Sequence, residues 1–236
     1  MKKTVAYTAI INPKKPFGIR DNIDSLRMKS SELKMPCVCF TNNPDMRSTA
    51  ECEVIYVNVE TTAILTAKKI KFLPHLFLLE KYDRSVWVDA KMNVLKPIDA
   101  LADKLLNRGN FFAKKHDKRD CVYKEALRAM DHDPKAITTQ IKSYKEDGYP
   151  ERNGLIASGI IFRNHKNEDL IKCEEFWWNE VQKFSKRDQI SFPYAAWKTD
   201  FKYDLIPDKY SSGAKWGPYF HPYHHRIKRG RKTQWC

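Results

Sequence analysis

The sequence predicts an α/β domain in which helices flank a mostly parallel central sheet. Short runs rich in β-branched and aromatic residues alternate with segments of helical periodicity, which is the pattern of parallel strands joined by crossover helices. The chain has 236 residues, of which 42% are hydrophobic and 31% are charged. This length and composition suit one soluble globular domain with a core of ordinary size.

The first half of the chain is expected to form four strands and one helix. The strands are predicted at residues 4–11, 35–41, 52–59 and 86–88, and the helix at 61–72. Thr61 or Thr62 offers a hydroxyl that can cap this helix. Pro74 begins a further turn or short helix, because proline is well tolerated in a first helical turn.

The second half alternates helices and strands again. Helices are predicted at 97–108, 121–130, 135–146 and 167–184, and strands at 111–113 and within 154–163. The helix at 167–184 is the clearest, because its apolar residues recur at helical spacing. Its paired Trp177 and Trp178 fit a core position and its flank better than a platform for stacking sugars. Asp188 begins a last helix, either as its N-cap or as a functional carboxylate.

Charge is the most unusual feature of the composition. The formal net charge is +14, which predicts an anionic partner such as a nucleotide, a nucleic acid, an acidic glycan or a membrane face. Arginines and lysines are dense at 226–232, so we divide the chain into a domain at 1–220 and a basic tail at 221–236. The six cysteines show no paired spacing; free thiols in a reducing compartment fit them better than a zinc site.

Several classes of protein are disfavoured by what the sequence lacks. No apolar run approaches the ~18 residues of a membrane span, and the apolar stretch near the N-terminus is too short and too interrupted for a secretion signal. A loop rich in proline, glycine and lysine follows at 12–20. The sequence contains neither G-x-G-x-x-G nor G-K-[ST], so a dehydrogenase or a P-loop kinase is disfavoured.

The strand at 86–88 delivers a single carboxylate, Asp89, at its end. Ligands of open α/β sheets bind at the carboxyl ends of the strands, so Asp89 is the leading candidate for a site residue. Lys91 stands two positions on, where a second carboxylate would complete a paired metal site. Asp89 is therefore expected either to bind Mg²⁺ or Mn²⁺ together with a diphosphate, or to act beside Lys91 without a metal.

Five further groups carry polar chemistry, each also compatible with an ordinary strand, helix or loop. Two strand ends carry Tyr7, Thr8, Ala9 and Thr41, which suit a flat base. Lys68 and Lys71 share a helix face and suit a pyrophosphate. The segments 116–125 and 185–192 are dense in groups that bind hydroxyls and phosphates. Ser158 and Gly159 permit a close approach of a ligand to the backbone.

Taken in order, these segments resemble a known family. The matching motifs are YTAI, CFTN, K-x-x-PH, VWVDAK, H-x-KR-x-CVY-x-EA, Q-I-x-x-Y-x-x-DG-x-P, SGIIFRNH, FWWNEV and S-x-RDQISF, within residues 4–195. They resemble the glycosyltransferase-like family first catalogued as a domain of unknown function, found in plant proteins of cell-wall and mucilage synthesis and in bacterial and viral glycan loci. The resemblance implies a GT-A-like, Rossmann-type single domain.

The resemblance also implies roles for individual residues. Asp89 and Asp188 are the expected catalytic pair, with Asp89 at the first position of a DxD-like motif and as the metal ligand. Donor-binding positions are expected at Tyr7, Thr8, Ala9, Thr41, Lys71, His75, Lys91, Ser158, Gly159 and Gln189. Contacts to the acceptor or a phosphate are expected at His116, Lys118, Arg119 and Arg187. Lys91 departs from a strict DxD motif, and His221 or His224 would then complete a metal site.

The expected function is therefore glycosyl transfer in polysaccharide biosynthesis. A nucleoside-diphosphate sugar, most commonly a UDP-sugar, would donate a hexose or deoxyhexose to a glycan or lipid-linked acceptor, with Mn²⁺ or Mg²⁺ as cofactor. A cytoplasmic protein is expected, with the basic tail touching the inner membrane face and no nucleic-acid partner. The alternatives are a basic nucleic-acid-binding protein and a transferase fold that binds glycans without catalysis.

Overall fold

The computed structural model describes residues 2–12, 30–211 and 216–222. The predicted loop at 12–20, except for its first residue, and nearly all of the basic tail lie outside these ranges. In these ranges the strands are β1 (Thr4–Ile10), β2 (Cys37–Thr41), β3 (Glu53–Tyr56), β4 (Arg84–Val88), β5 (Met92–Val94), β6 (Phe111–Lys115), β7 (Ile156–Arg163), β8 (Asp204–Leu205) and β9 (Phe220–Pro222).

The helices alternate with the strands as the sequence predicts. They are α1 (Ser30–Leu33), α2 (Ala63–Phe72), α3 (His75–Leu78), α4 (Asp99–Leu106), α5 (Val122–Ala129), α6 (Pro134–Glu146), α7 (Glu168–Lys183), α8 (Asp188–Lys198) and α9 (Asp208–Ser211). The expected cap of α2 is confirmed, because the Thr62 side chain accepts a hydrogen bond from the Leu65 N–H. Asn167 caps α7 in the same way.

Seven strands form the central sheet in the order β3-β2-β1-β4-β7-β6-β8. Strand β7 is antiparallel to both of its neighbours, β4 and β6, whereas every other pairing in the sheet is parallel. The predicted α/β architecture with a mostly parallel sheet is confirmed. The reversal of β7 brings its first residues to the edge where β1, β2, β4 and β6 end.

A bulge interrupts β7 at this edge. Ala113 of β6 lies opposite Ile161, but the next β6 residue, Lys114, lies opposite Ala157. The intervening residues of β7, which include Ser158 and Gly159, therefore have no partner on β6. Bulges re-aim side chains and are common beside functional sites. Because of this bulge, Ser158 and Gly159 are not paired with β6 at the edge of the sheet.

Helices α2, α7 and α8 are joined by one buried tryptophan. The ring of Trp177 stacks on Phe72 at a centroid distance of 3.8 Å. Its indole N–H lies 3.0 Å from Ser191 Oγ and 3.2 Å from the Asp188 carbonyl oxygen. Trp177 is fully buried, so the prediction that it occupies a core position is confirmed. It fixes the end of α2 against the start of α8.

A second, two-stranded sheet pairs β5 with β9. Asn93 lies opposite His221 in this sheet, and Val94 lies opposite Phe220, which is buried. The predicted boundary between domain and tail, after residue 220, therefore falls inside a strand that packs on the domain. His224, His225 and the cations at 226–232 lie outside the described residues.

Two further properties concern the chain as a whole. Among the described residues, none of the helices has the length and apolar composition that crossing a membrane requires. Five of the six cysteines fall in the described ranges, and all five carry free thiols: Cys37, Cys39, Cys52, Cys121 and Cys173.

A buried contact between an arginine and a glutamate joins β7 to α7. Arg163 and Glu174 are both fully buried, with Nη1 and Oε1 3.1 Å apart. Burial raises the pKa of Glu174 to about 8, although Arg163 opposes the shift. His75 of α3 lies beside Glu174, with its Nδ1 3.9 Å from Glu174 Oε2. Burial lowers the pKa of His75.

Glu174 should make the stability of the fold depend on pH. Because its pKa is raised from 4.5 to about 8, its contribution is greatest below pH 4.5 and is lost as the pH rises towards 8. Between pH ~5 and pH ~7 we expect the free energy of unfolding to fall by about 2 kcal/mol more in the wild type than in Glu174→Gln, measured by urea denaturation. Glu175→Gln, which changes the exposed neighbour, should follow the wild type; equal slopes in all three proteins would contradict this assignment.

Candidate functional site

Five charged or polar side chains converge at the carboxyl edge of the sheet. The Lys71 ammonium lies 3.0 Å from Asp188 Oδ2, 3.2 Å from Ser158 Oγ and 3.4 Å from Asp89 Oδ1. Ser158 Oγ donates to Asp188 Oδ2 at 2.9 Å, and Lys68 Nζ lies 3.4 Å from the same oxygen. We call these residues, Lys68, Lys71, Asp89, Ser158 and Asp188, the Lys71 cluster.

The five members of the cluster come from four different places in the sequence. Asp89 follows β4 directly, and its N–H binds the Gly159 carbonyl oxygen at 2.9 Å, which extends the pairing with β7. Ser158 lies in the bulge of β7. Lys68 and Lys71 are one turn apart on α2. Asp188 is the first residue of α8, whose N-cap is Arg187, so Asp188 is not the N-cap.

The backbone of Lys71 is held from below by the sheet. Its carbonyl oxygen accepts hydrogen bonds from the Tyr7 hydroxyl at 3.1 Å and from Arg163 Nη1 at 2.5 Å. Arg163 Nη1 also lies 3.0 Å from the Tyr7 hydroxyl. Tyr7 and Arg163 are fully buried. These contacts hold the last turn of α2 against β1 and β7. The backbone from which the Lys71 side chain extends into the cluster is therefore fixed.

The charges in the cluster compensate one another. Burial alone would raise the pKa of Asp188, but Lys68, Lys71 and the Ser158 hydroxyl outweigh it and hold the pKa far below its usual range. Burial alone would lower the pKa of Lys71, but Asp188 and Asp89 raise it above its usual value. Burial lowers the pKa of Lys68, and Asp188 opposes this only in part. Asp188 is therefore an ionised carboxylate that accepts hydrogen bonds and is only weakly basic.

The two carboxylate oxygens of Asp89 differ in their contacts. Within the described residues, Oδ1 accepts hydrogen bonds and Oδ2 has no recorded hydrogen bond. Its Oδ1 accepts the indole N–H of Trp87 at 2.7 Å and faces Lys71. Its Oδ2 lies towards Gly159, 3.5 Å from where a β-carbon on that residue would be. Divalent ions at diphosphate sites often use one or two carboxylates and complete their shell with phosphate oxygens. Asp89 Oδ2 fits that role, although no three metal-ligating side chains converge within the described residues.

The residues predicted to bind the nucleoside lie at the ends of β1 and β2. Tyr7 is fully buried with its hydroxyl engaged by α2 and β7, so it supports Lys71 instead of facing a ligand. Thr41 Oγ1 donates to the Ile10 carbonyl oxygen at 2.9 Å and joins the two strand ends. Thr8 is also fully buried, and Ala9 is half-buried.

Three other predicted donor-binding residues lie apart from the cluster contacts. His75 faces Glu174 and Glu175 of α7, with its Nε2 3.7 Å from Glu175 Oε1. Lys91 is exposed in the turn between β4 and β5. Gln189, half-buried in the first turn of α8, donates from Nε2 to the Ile156 carbonyl oxygen at 3.2 Å. Gln189 thereby joins the start of α8 to the start of β7.

The residues predicted to contact the acceptor form a second polar cluster around Glu125, a fully buried carboxylate at the end of the segment 116–125. Arg187 donates to Glu125 Oε1 from Nε at 3.0 Å and from Nη2 at 2.6 Å, and Arg119 donates to Oε2. His116 Nε2 lies 3.7 Å from Oε2. Lys118 is exposed, and its backbone N–H binds His116 Nδ1. Burial lowers the pKa of His116.

Some members of the site carried a weak sequence signal and others none. Lys68 and Lys71 share a helix face by spacing alone. Trp87 is two residues before Asp89 on an extended strand, so both side chains point to the same face. The pairing of Glu125 with both Arg119 and Arg187 gives no such signal, because Arg187 is brought to Glu125 only by the packing of α5 on α8.

A surface cavity of about 620 Å³ lies far from these residues in the fold. Its lining includes Arg84 at the start of β4, Gly109 and Asn110 before β6, and Asn164 after β7. These positions mark the amino ends of the parallel strands. Ligands of open α/β sheets bind at the opposite edge, where the Lys71 cluster lies. The chemistry therefore points to the carboxyl edge and not to this cavity.

The part of the chain that builds this edge matches a known protein family. The family model of the TOD1/MUCI70 glycosyltransferase-like domain matches residues 54–210. A probable hexosyltransferase MUCI70 of Arabidopsis thaliana is 31% identical over 122 residues, which cover 46% of this chain and 21% of that protein. The chain thus spans about a fifth of the length of this relative.

Among solved structures, the chain is similar to that of mouse xyloside xylosyltransferase 1 in its apo form. The two share 11% sequence identity with a TM-score of 0.48, over 89% of this chain and 86% of that one.

The family model covers Asp89, Lys71, Ser158 and Asp188, so all the elements that build the Lys71 cluster fall inside the matched region. The resemblance predicted from the ordered motifs is confirmed. The chain belongs to the TOD1/MUCI70 family and carries its glycosyltransferase-like domain.

Proposed function

We propose that the protein transfers a sugar from a nucleoside-diphosphate donor, most simply a UDP-sugar, to a glycan or lipid-linked acceptor. The observation that carries the proposal is the convergence of Lys71, Asp89, Ser158 and Asp188 at the carboxyl edge of the sheet. The family description of a glycosyltransferase-like domain supports it. Hexosyl transfer is favoured by the name of the Arabidopsis relative.

In this proposal the cluster binds the donor between its charges. Lys68 and Lys71 stabilise the negative charge that develops on the departing diphosphate, and preorganised cations do this without the cost of solvent reorganisation. A divalent ion held by Asp89 and the diphosphate would supply further neutralisation of the leaving group. Asp89 Oδ1 is engaged by Trp87 and Lys71, whereas Oδ2 is directed towards Gly159. This arrangement supports Asp89 Oδ2 as a ligand of the divalent ion.

Asp188 has the properties of a carboxylate that orients a sugar. Its low pKa makes it a poor acceptor of a proton, so we assign it hydrogen bonding to donor hydroxyls in preference to deprotonation of the acceptor. Its Oδ2 is held by Lys71 and Ser158 in one geometry.

The location of the reaction in the cytoplasm stays a prediction.

Asp188→Asn should remove most of the activity. The amide keeps the shape of the side chain but loses the charge that pairs with Lys68 and Lys71, so we expect donor turnover to fall by about 100-fold or more. The matched control is Asp169→Asn, which changes an exposed aspartate in the first turn of α7. Turnover is measured as nucleoside diphosphate released, and melting temperatures show whether each variant is folded. Wild-type turnover in a folded Asp188→Asn protein would remove Asp188 from the mechanism.

The metal requirement is tested by calorimetric titration with UDP, once with Mn²⁺ and once with EDTA. If Asp89 holds an ion together with the diphosphate, UDP should bind at least about 10-fold more tightly with Mn²⁺, and Asp89→Asn should abolish the difference. If the affinity for UDP is the same with EDTA as with Mn²⁺, the lysines bind the diphosphate without a metal ion. Asp99→Asn, which changes a carboxylate in the first turn of α4, serves as the control.

A further inference from the structure

Trp216 lies against the part of the cluster where Asp89 meets the bulge of β7. A β-carbon built on Gly159 would lie 2.9 Å from Cη2 of Trp216 and 3.5 Å from Oδ2 of Asp89. The first distance is too short for a real contact, so the indole occupies space that only a glycine leaves open. Trp216 and the open oxygen of Asp89 thus flank the same backbone position.

The backbone of Trp216 is in a conformation that tryptophan rarely adopts. Its φ is 59°, and that of the next residue, Gly217, is 72°. Left-handed conformations in bulky residues are strained and cluster at ligand sites. The turn packs closely on α9, because a β-carbon on Gly217 would lie 2.4 Å from the Tyr210 carbonyl oxygen. The fold therefore directs this indole towards Gly159 despite the conformational cost.

A buried cation also fixes the ring. The Lys114 side chain is 2% exposed, pairs with Asp117, and places its ammonium 5.1 Å from the centroid of the Trp216 ring. A cation at this distance from an indole is attracted to the ring. Trp216 itself is only partly buried. The aromatic surface is thus held in one orientation by Gly159 and Lys114 while part of it stays accessible.

We infer that Trp216 contacts the donor sugar and helps to decide which sugar the site accepts, an inference that rests on the proposed function. Sugars present hydroxyls at their edges and C–H groups on their faces. The Lys71 cluster offers charged partners for the hydroxyls, and Trp216 offers the apolar surface for a C–H face. Asp188 and Lys71 lie on one side of this site, and the ring of Trp216 lies beyond Asp89. The site can therefore offer hydrogen bonds to the sugar hydroxyls and apolar contact to a C–H face.

The test compares binding of a sugar nucleotide with binding of its nucleoside diphosphate. Calorimetry on the wild-type chain identifies the tightest ligand among UDP-glucose, UDP-galactose, UDP-xylose, UDP-glucuronate and GDP-mannose. In Trp216→Ala we expect the affinity for that ligand to fall about 10-fold or more, and the affinity for UDP, or GDP for GDP-mannose, to change by less than about twofold. Trp216→Phe should lie between wild type and Trp216→Ala. Trp197→Phe, which changes a partly exposed indole on α8, should match the wild type.

A double-mutant cycle tests the contact with Gly159. Gly159→Ala displaces the indole and should weaken sugar-nucleotide binding in the wild type, but it should have little further effect in Trp216→Ala, where the indole is absent. Equal effects of Gly159→Ala in both backgrounds would overturn the proposed contact.

The two hypotheses fail in different ways. If Trp216→Ala weakens the binding of the nucleoside diphosphate and of the sugar nucleotide equally, or weakens the binding of neither, the inference about the sugar is wrong. The proposed function then stands. If the wild-type chain binds none of the five sugar nucleotides, the proposed function and this inference are both overturned.

Discussion

The buried ammonium of Lys71 is the interaction on which the arrangement of the site depends. A charge out of water is costly unless it is paired, and Lys71 is paired with two carboxylates that come from different elements of the fold. Asp89 approaches from the end of β4 and Asp188 from the start of α8. Because one ammonium satisfies both, the sheet edge and the helix above it are held in one relative position.

Three buried side chains support the helix that carries this ammonium. Tyr7 and Arg163 bind the Lys71 carbonyl oxygen from the sheet, and Trp177 fixes α2 against α8. Removing one partner of a buried charge leaves the other unpaired, which costs more than the pair itself contributes. The same network that stabilises the fold therefore holds the site in the geometry that binding requires.

The reversed strand β7 explains why two small residues lie at the centre of the site. In a purely parallel sheet, Ser158 and Gly159 would lie deeper in the layer, because only strand ends reach the functional edge. The reversal brings the start of β7 to that edge, and the bulge frees both residues from pairing with β6. Ser158 then reaches Asp188, and Gly159 leaves room for Trp216.

The sequence predicts the elements well because their signals are local. Hydrophobic periodicity predicts the longer strands and helices to within a few residues, but it misses the short elements α1, β5, β8, α9 and β9. The isolated carboxylate Asp89 indicates the edge of the sheet at which the Lys71 cluster lies. The ordered motifs also singled out Lys71, Ser158 and Asp188, which the fold brings together.

The remaining features depend on contacts between distant segments, which spacing along the chain does not encode. The reversal of β7, the buried Glu125 between two arginines and the position of Trp216 over Gly159 arise only when the elements pack. Tyr7 and His75 illustrate the same limit, because polar residues at strand and helix ends were expected to face a ligand. Packing instead directs Tyr7 to the Lys71 carbonyl and His75 to α7.

The most direct test of the account is whether Lys71 must be a cation for the protein to use a sugar nucleotide. The measurement is release of nucleoside diphosphate from the five sugar nucleotides by the wild type, Lys71→Arg and Lys71→Met. The account predicts release by the wild type, partial release by Lys71→Arg and a loss of about 100-fold or more in Lys71→Met. Undiminished release by a folded Lys71→Met protein, or no release by the wild type from any donor, would contradict it.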